Sequence, residues 1–217
     1  SVDALAALND GRCLMAGFHA LVDAPLRSPT ARVYRAMLKP GRHKLVAFAR
    51  RTQGLIVAPG NPHEITMLAD LCRHGIRFAN RARGTGTRVV FDELLAAKTI
   101  NPQYIAGYDR TEPSHRSAAE AVASGSADAA LGIEAAARAR GMGFVPLVQE
   151  QYFLVTLQHA LVQPPVQTLL GLLQSAQWRA QLNALPGYEA GDSGEVLSLR
   201  RVLPWWTFRK PKRAATR

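Results

Sequence analysis

Residues 76–88 constrain this chain most. They read as a strand (76–80), a glycine turn and the first turn of a helix. A strand that feeds a helix through a short turn is the repeating unit of α/β folds. Gly84 and Gly86 let the backbone approach a ligand closely, and the hydroxyls of Thr85 and Thr87 flank Gly86. A helix start offers unpaired N–H groups and the positive end of a dipole. Arg81, Arg83 and Arg88 add positive charge, so the corner suits a small anion. A dinucleotide fingerprint needs glycine where Val89 stands, and no Gly-Lys-Ser/Thr follows to make a P-loop. A phosphate-sized free anion fits better; the alternative is a plain turn with a capping threonine.

The rest of the chain keeps the alternation. A helix is expected over 1–7 with Ser1 as N-cap, and a strand over 13–16 that stops at Gly17, Phe18 and His19. Residues 44–48 and 54–57 read as two strands, 59–62 as a turn, and 64–72 as a short helix with Ile65, Leu68 and Leu71 on one side. The helix after Thr87 offers Val90, Phe91, Leu94 and Leu95 for burial. Residues 104–108 look strand-like, and Ser114 or Ser117 caps a helix that Gly125 closes. Then come a strand (127–133), a helix (134–140), strands at 144–147 and 151–157, and a helix over 165–182. That last helix carries Val166, Leu169, Leu170, Leu173 and Trp178 at helical spacing. Residues 23–43 have no clear pattern. The alternation predicts an α/β fold with largely parallel sheets.

Composition narrows the class. The chain has 217 residues, 47% hydrophobic and 20% charged, ordinary for a globular protein. No apolar run could span a bilayer, so membrane insertion is not expected. Net charge is +11, and residues 200–217 hold seven basic side chains and no acid. The body is therefore mildly basic, and 200–217 reads as a basic, solvated C-terminal tail without an element for reading bases. Cys13 and Cys72 form no disulfide framework and no zinc spacing, which weakly favours a reducing compartment. The histidines make no metal-binding pair, so no free metal cation is expected. Gly191-Asp192-Ser193-Gly194 copies a serine-protease nucleophile segment, but an α/β chain lacks the barrel context and matching histidine segment. No pair of carboxylates suggests acid/base work, so the chain is not expected to be an enzyme.

Ser114-His115 forms a second helix start bearing a hydroxyl and an imidazole, and Ser1 is a third hydroxyl at a helix start. Taken singly, each serine reads as a helix cap, and His19 as a surface loop residue.

Together these pieces resemble a known family. Residues 53–62 (Gln-Gly-Leu-Ile-Val-Ala-Pro-Gly-Asn-Pro), 77–88, Ser114-His115, 127–133, 185–188 and 193–195 resemble, in that order, the type II periplasmic-binding-protein superfamily. Within it they are most similar to the substrate-binding domains of molybdate- or tungstate-linked helix-turn-helix regulators. The likeness covers roughly residues 1–196. It implies a two-lobed α/β fold with mixed sheets, helices on both faces and two crossover segments. Lobe one would comprise 1–74 plus 148–199, and lobe two 75–147. The family's first strand and polar loop would precede Ser1, which occupies a later Gly-Ser position. Thr85-Gly86-Thr87 fills the place of a Ser-Gly-Thr that binds the oxyanion in related receptors. Arg81 stands at the spacing of a receptor arginine, and Ser114 and His115 at a Thr/Ser-His place. The implied ligand set is Arg81, Thr85, Gly86, Thr87, Ser114, His115, Ser1 and His19, with no cofactor besides the oxyanion ligand.

The resemblance implies non-catalytic sensing of molybdate or tungstate in a cytoplasmic regulator. DNA contact would come through an upstream helix-turn-helix domain outside this chain, and there is room for a homodimer. One alternative is a periplasmic receptor of an ABC-type oxyanion transporter. Another is a binding domain attached to a molybdenum-cofactor biosynthesis protein. Phosphate near neutral pH keeps a proton and needs an acceptor such as aspartate; the implied ligand set holds none, which favours molybdate, tungstate or sulfate.

Overall fold

A computed structural model describes residues 2–21 and 26–206. Ser1 and residues 207–217 lie outside the described residues, so the expectations for the Ser1 cap and most of the basic tail do not come into play here. The elements run α1 (Val2–Asn9), β1 (Met15–Ala20), α2 (Pro29–Tyr34), β2 (His43–Val57), β3 (Phe78–Arg81), α3 (Gly86–Ala97), β4 (Thr111–Glu112) and α4 (His115–Ala123). They continue with β5 (Ala129–Ile133), α5 (Glu134–Arg138), β6 (Gly143–Leu157), α6 (Pro164–Gln174), α7 (Ala176–Asn183), β7 (Tyr188–Glu189), β8 (Val196–Ser198) and α8 (Leu199–Val202).

Two strands organise the molecule. β2 and β6 are 15 residues each and pair antiparallel from His43 with Leu157 to Val57 with Gly143. Each is about three times the usual strand length and spans roughly 50 Å. Each also replaces two shorter expected strands (44–48 with 54–57, and 144–147 with 151–157). The polar residues between those pieces stay extended because they satisfy one another in the interior, as described below. Register shifts between Ala47 and Ala49 and between Gln53 and Gly54 re-aim side chains there. At Gly54 a β-carbon would collide with the Val145 carbonyl, so only glycine permits this approach.

The sheet order is β1-β6-β2-β5-β3-β4, with β7 and β8 also on β2. Only β3 with β4 and β3 with β5 run parallel; the other pairs are antiparallel. The expectation of largely parallel sheets is therefore corrected to a mixed sheet. The long strands turn the chain back on itself, which local strand–helix alternation does not reveal.

Each end of the long ribbon has its own core. One holds Leu5, Leu8, Phe18, Tyr34, Leu45, Phe153 and Val155, closed by Leu203 and Trp205. Leu203 and Trp205 are 2% and 0% exposed, so residues 200–206 begin not as a solvated tail but as a core closure. At the other end, alternate residues face opposite ways. Leu55, Val57, Phe78 and Leu131 pack with Phe91 and Leu95 of α3. Ile56, Ala79 and Ala130 pack with Ala118 and Val122 of α4 and Ala137 of α5. Ile65, Leu68 and Leu71, which the expected boundary at 74/75 places in lobe one, join the core of Phe78 and Phe91.

Other differences have local causes. β1 does not stop at Gly17 but continues to Ala20 against β6. Residues 104–108 are a turn, with Gly107 at φ 91° packed where a β-carbon would meet the Phe78 carbonyl. The helix expected over 64–72 reduces to a 3₁₀ turn at Leu68–Cys72. The helix expected over 165–182 breaks at Ser175, whose extended backbone (ψ 147°) and hydroxyl cap α7. α2, unassigned from sequence, starts at Ser28, which accepts from the Ala31 N–H, followed by Pro29. Ser193 of the protease-like segment is fully buried and accepts from Trp178 Nε1 at 3.1 Å, a structural role.

Candidate functional site

Halfway along the ribbon, β2 and β6 carry charged and polar side chains into the interior. Arg51 and Gln53 of β2 are 8% and 1% exposed, and Glu150 of β6 is 1% exposed. Arg51 Nε donates to Glu150 Oε1, and Gln53 Nε2 donates to Glu150 Oε2. Burial alone would raise the Glu150 pKa, but Arg51 and His19 outweigh it and hold it at about 2, so the carboxylate stays ionised.

His19, near the end of β1, completes this knot. Arg51 Nη2 lies 2.7 Å from His19 Nδ1. The same nitrogen lies 3.2 and 3.4 Å from the two Glu150 carboxylate oxygens. Burial, only partly offset by Glu150, lowers the His19 pKa and keeps the ring neutral at neutral pH. Tyr152 lies edge-on to His19 at 4.8 Å, and Arg51 stands 5.0 Å from its ring centre.

Across from the knot stand the carboxyl end of β3 and the start of α4. Arg81 ends β3 and is 6% exposed. Its Nε donates to the Glu112 carbonyl at 3.1 Å and its Nη2 to the Pro113 carbonyl at 3.0 Å. Its Nη1 is buried with no partner. Burial and Arg51 lower its pKa, against a smaller pull from Glu112. Among the described residues Arg81 has no carboxylate in ion-pair contact, whereas Arg83 pairs with Asp109 and Arg88 with Asp92, each at 3.0 Å. Of the three arginines that mark the corner in sequence, only Arg81 therefore keeps unspent charge.

His115 opens α4, and its Nδ1 is buried without a partner. Burial, then Arg81 and Arg51, push its pKa down to about 2, so it is neutral at physiological pH. Those influences place it beside the same cluster.

The structure thus brings together His19, Arg81 and His115. Two of the expected hydroxyls, those of Thr85 and Ser114, make cap hydrogen bonds. Thr85 caps α3, accepting from the Arg88 N–H at 3.2 Å and donating to the Ala82 carbonyl at 2.8 Å. Ser114 is exposed and caps α4, accepting from the Ser117 N–H at 2.9 Å. Gly86 and Thr87 are buried in the first turn of α3. Sequence reasoning missed Arg51, Gln53, Glu150 and Tyr152. Their signal is visible in retrospect: Arg51-Thr52-Gln53 and Gln149-Glu150-Gln151 interrupt otherwise apolar strand segments.

The larger concavities lie elsewhere. One of about 400 Å³ is lined by Met67, Leu68, Leu94 and Leu147, and one of about 410 Å³ by Val2, Gly84, Arg88 and Tyr108. Neither is lined by one of the buried polar atoms left unpaired, so the cluster is the stronger candidate. Among the described residues no three His, Cys, Asp or Glu side chains group to hold a metal ion.

A family model described as the PBP superfamily domain matches residues 1–174. The chain belongs to the PBP superfamily. Uncharacterized protein YvgK of Bacillus subtilis (strain 168) is 34% identical to this PBP domain over 197 residues, covering 91% of this chain and 63% of that protein. The chain thus spans less than two-thirds of that relative. Among solved structures, an ABC-type phosphate transport receptor from Vibrio cholerae superposes with a TM-score of 0.57 at 12% identity, over 87% of this chain and 84% of that one. A histidine kinase sensor domain with similarity to periplasmic binding proteins gives 0.55 at 15% identity, over 85% and 75%. These likenesses show the fold: an α/β PBP domain with a mixed sheet and helices. No helix among the described residues is long and apolar enough to cross a membrane.

Proposed function

We propose that this PBP domain binds a small tetrahedral oxyanion, without catalysis, in a cleft floored by β2 and β6. Its lobes would divide where those strands carry Arg51, Gln53 and Glu150. The carrying observation is Arg81, a buried arginine with no carboxylate partner and with Nη1 unsatisfied. A buried unpaired charge is costly, and an anion beside it removes the cost. The N–H groups at the starts of α3 and α4 would add donors without needing a metal. We assign the domain to ligand sensing in a transcriptional regulator, as its sequence motifs suggest, with molybdate and tungstate among the candidate ligands. The likeness to a phosphate transport receptor supports a second reading, delivery of an oxyanion to a permease.

Titration calorimetry with molybdate, tungstate, sulfate and phosphate tests the binding reading. At least one anion is expected to bind, with Arg81→Ala weakening it about tenfold to hundredfold, the worth of a charge-assisted hydrogen bond. Unchanged affinity in the variant would remove Arg81 from the site, and no heat with any anion would overturn the reading.

A further inference from the structure

Gln53 carries more than anion binding alone requires. Its side chain donates through Nε2 to Glu150, while its Oε1 is buried with no partner. Chemistry sets the orientation of this amide. An ionised carboxylate only accepts, so the nitrogen faces Glu150 and the carbonyl oxygen faces away. A buried carbonyl left without a donor is disfavoured, so a ligand reaching it gains by presenting an O–H or N–H. His115 Nδ1 is a second buried, unpartnered atom nearby. The His115 ring lies within electrostatic reach of Glu150, the carboxylate that Gln53 contacts.

Resting on the anion-binding reading above, we propose that the cleft takes a tetrahedral oxyanion that still carries one proton, with hydrogen phosphate as its common member, and that Gln53 Oε1 accepts that proton's hydrogen bond. Sulfate, molybdate and tungstate would turn an oxygen lone pair toward the amide oxygen. The helix-start motifs hold no carboxylate and by themselves favour those unprotonated dianions. Gln53, which opens the 53–62 segment, lies outside those helix starts and supplies the acceptor.

Near pH ~8 inorganic phosphate and sulfate are both dianions of similar size that differ by one proton, and methyl phosphate is a dianion without it. Calorimetry of the chain with these three and molybdate therefore isolates the interaction. Phosphate is expected to bind about tenfold to hundredfold more tightly than sulfate, molybdate or methyl phosphate. Gln53→Met, which keeps the bulk and removes the acceptor, is expected to bring phosphate and sulfate to equal affinity in protein shown to be folded by circular dichroism. Sulfate, molybdate or methyl phosphate binding as tightly as phosphate overturns the proposal while the anion-binding reading stands. So does a phosphate preference that survives Gln53→Met. If that variant does not fold, the wild-type comparison decides alone. No heat with any of the four anions overturns both readings.

Discussion

Glu150 stays charged in the interior because Arg51 and Gln53 both donate to it, and the cost of stripping its water is offset locally. That has a signed consequence. Its folded pKa of about 2 lies below the ordinary 4.5. Its contribution is therefore complete above pH 4.5 and is lost as pH falls from there toward 2. His115 is also depressed, from 6.5 to about 2. Its neutral form favours folding above pH 6.5, and acid erodes that contribution as it forces the buried ring to charge. Urea midpoints measured between pH 7 and 2 should fall with acid, and Glu150→Gln should flatten the steeper lower part of that curve. At neutral pH the same variant is expected to lose about 3–5 kcal/mol, the cost of breaking a buried ion pair.

At the scale of elements, the start of α4 is held by its own cap. The Ser114 hydroxyl accepts from the Ser117 N–H, and Ser117 Oγ in turn accepts from the Ser114 N–H, a reciprocal cap. Ser114→Ala is expected to cost about 1 kcal/mol, a fall of about 2–4 °C in Tm for a chain of this size. Oxyanion affinity should be unchanged, because the hydroxyl is already spent; calorimetry alongside the thermal scan checks both. The caps were legible in sequence because a serine and the N–H it serves lie within one helical turn. The length of β2 and β6 was not. Arg51, Gln53 and Glu150 break the apolar pattern, and a pattern broken by charge resembles a loop until the charges are seen to meet.

Over the whole molecule, a buried hydrogen bond helps tie the two ends of the ribbon, beside Val89 of α3, which packs into the first core. Thr30 of α2 donates to Glu93 of α3. Ala31 and Tyr34 of α2 pack into the first core, and Phe91 and Leu95 of α3 into the second. Thr30→Val would leave Glu93, 7% exposed, without that donor. The expected loss is about 1–3 kcal/mol in a ligand-free urea titration. A ligand bound between the two ends should offset it: anion at about a hundred times its Kd adds roughly 2.7 kcal/mol. Midpoints with and without anion, in wild type and variant, measure both effects. Equal midpoints for the two ligand-free proteins would show that the bridge contributes nothing.

By itself the sequence determined the α/β class, the strand–turn–helix that ends in Arg81 and Thr85, the serine caps and most of the residues that fill the cores. Those features rest on interactions reaching a few residues, such as helical and strand periodicity, turn glycines and side-chain caps. Only the tertiary structure decided that β2 and β6 run unbroken and antiparallel, that Trp205 closes a core, and that His19, Arg51, Arg81, His115 and Glu150 form one cluster. Arg51 meets Glu150 across 99 positions and His19 meets it across 131. Whether a buried charge at such a separation finds its counter-charge is settled by the path of the whole chain, and local pattern carries no record of it.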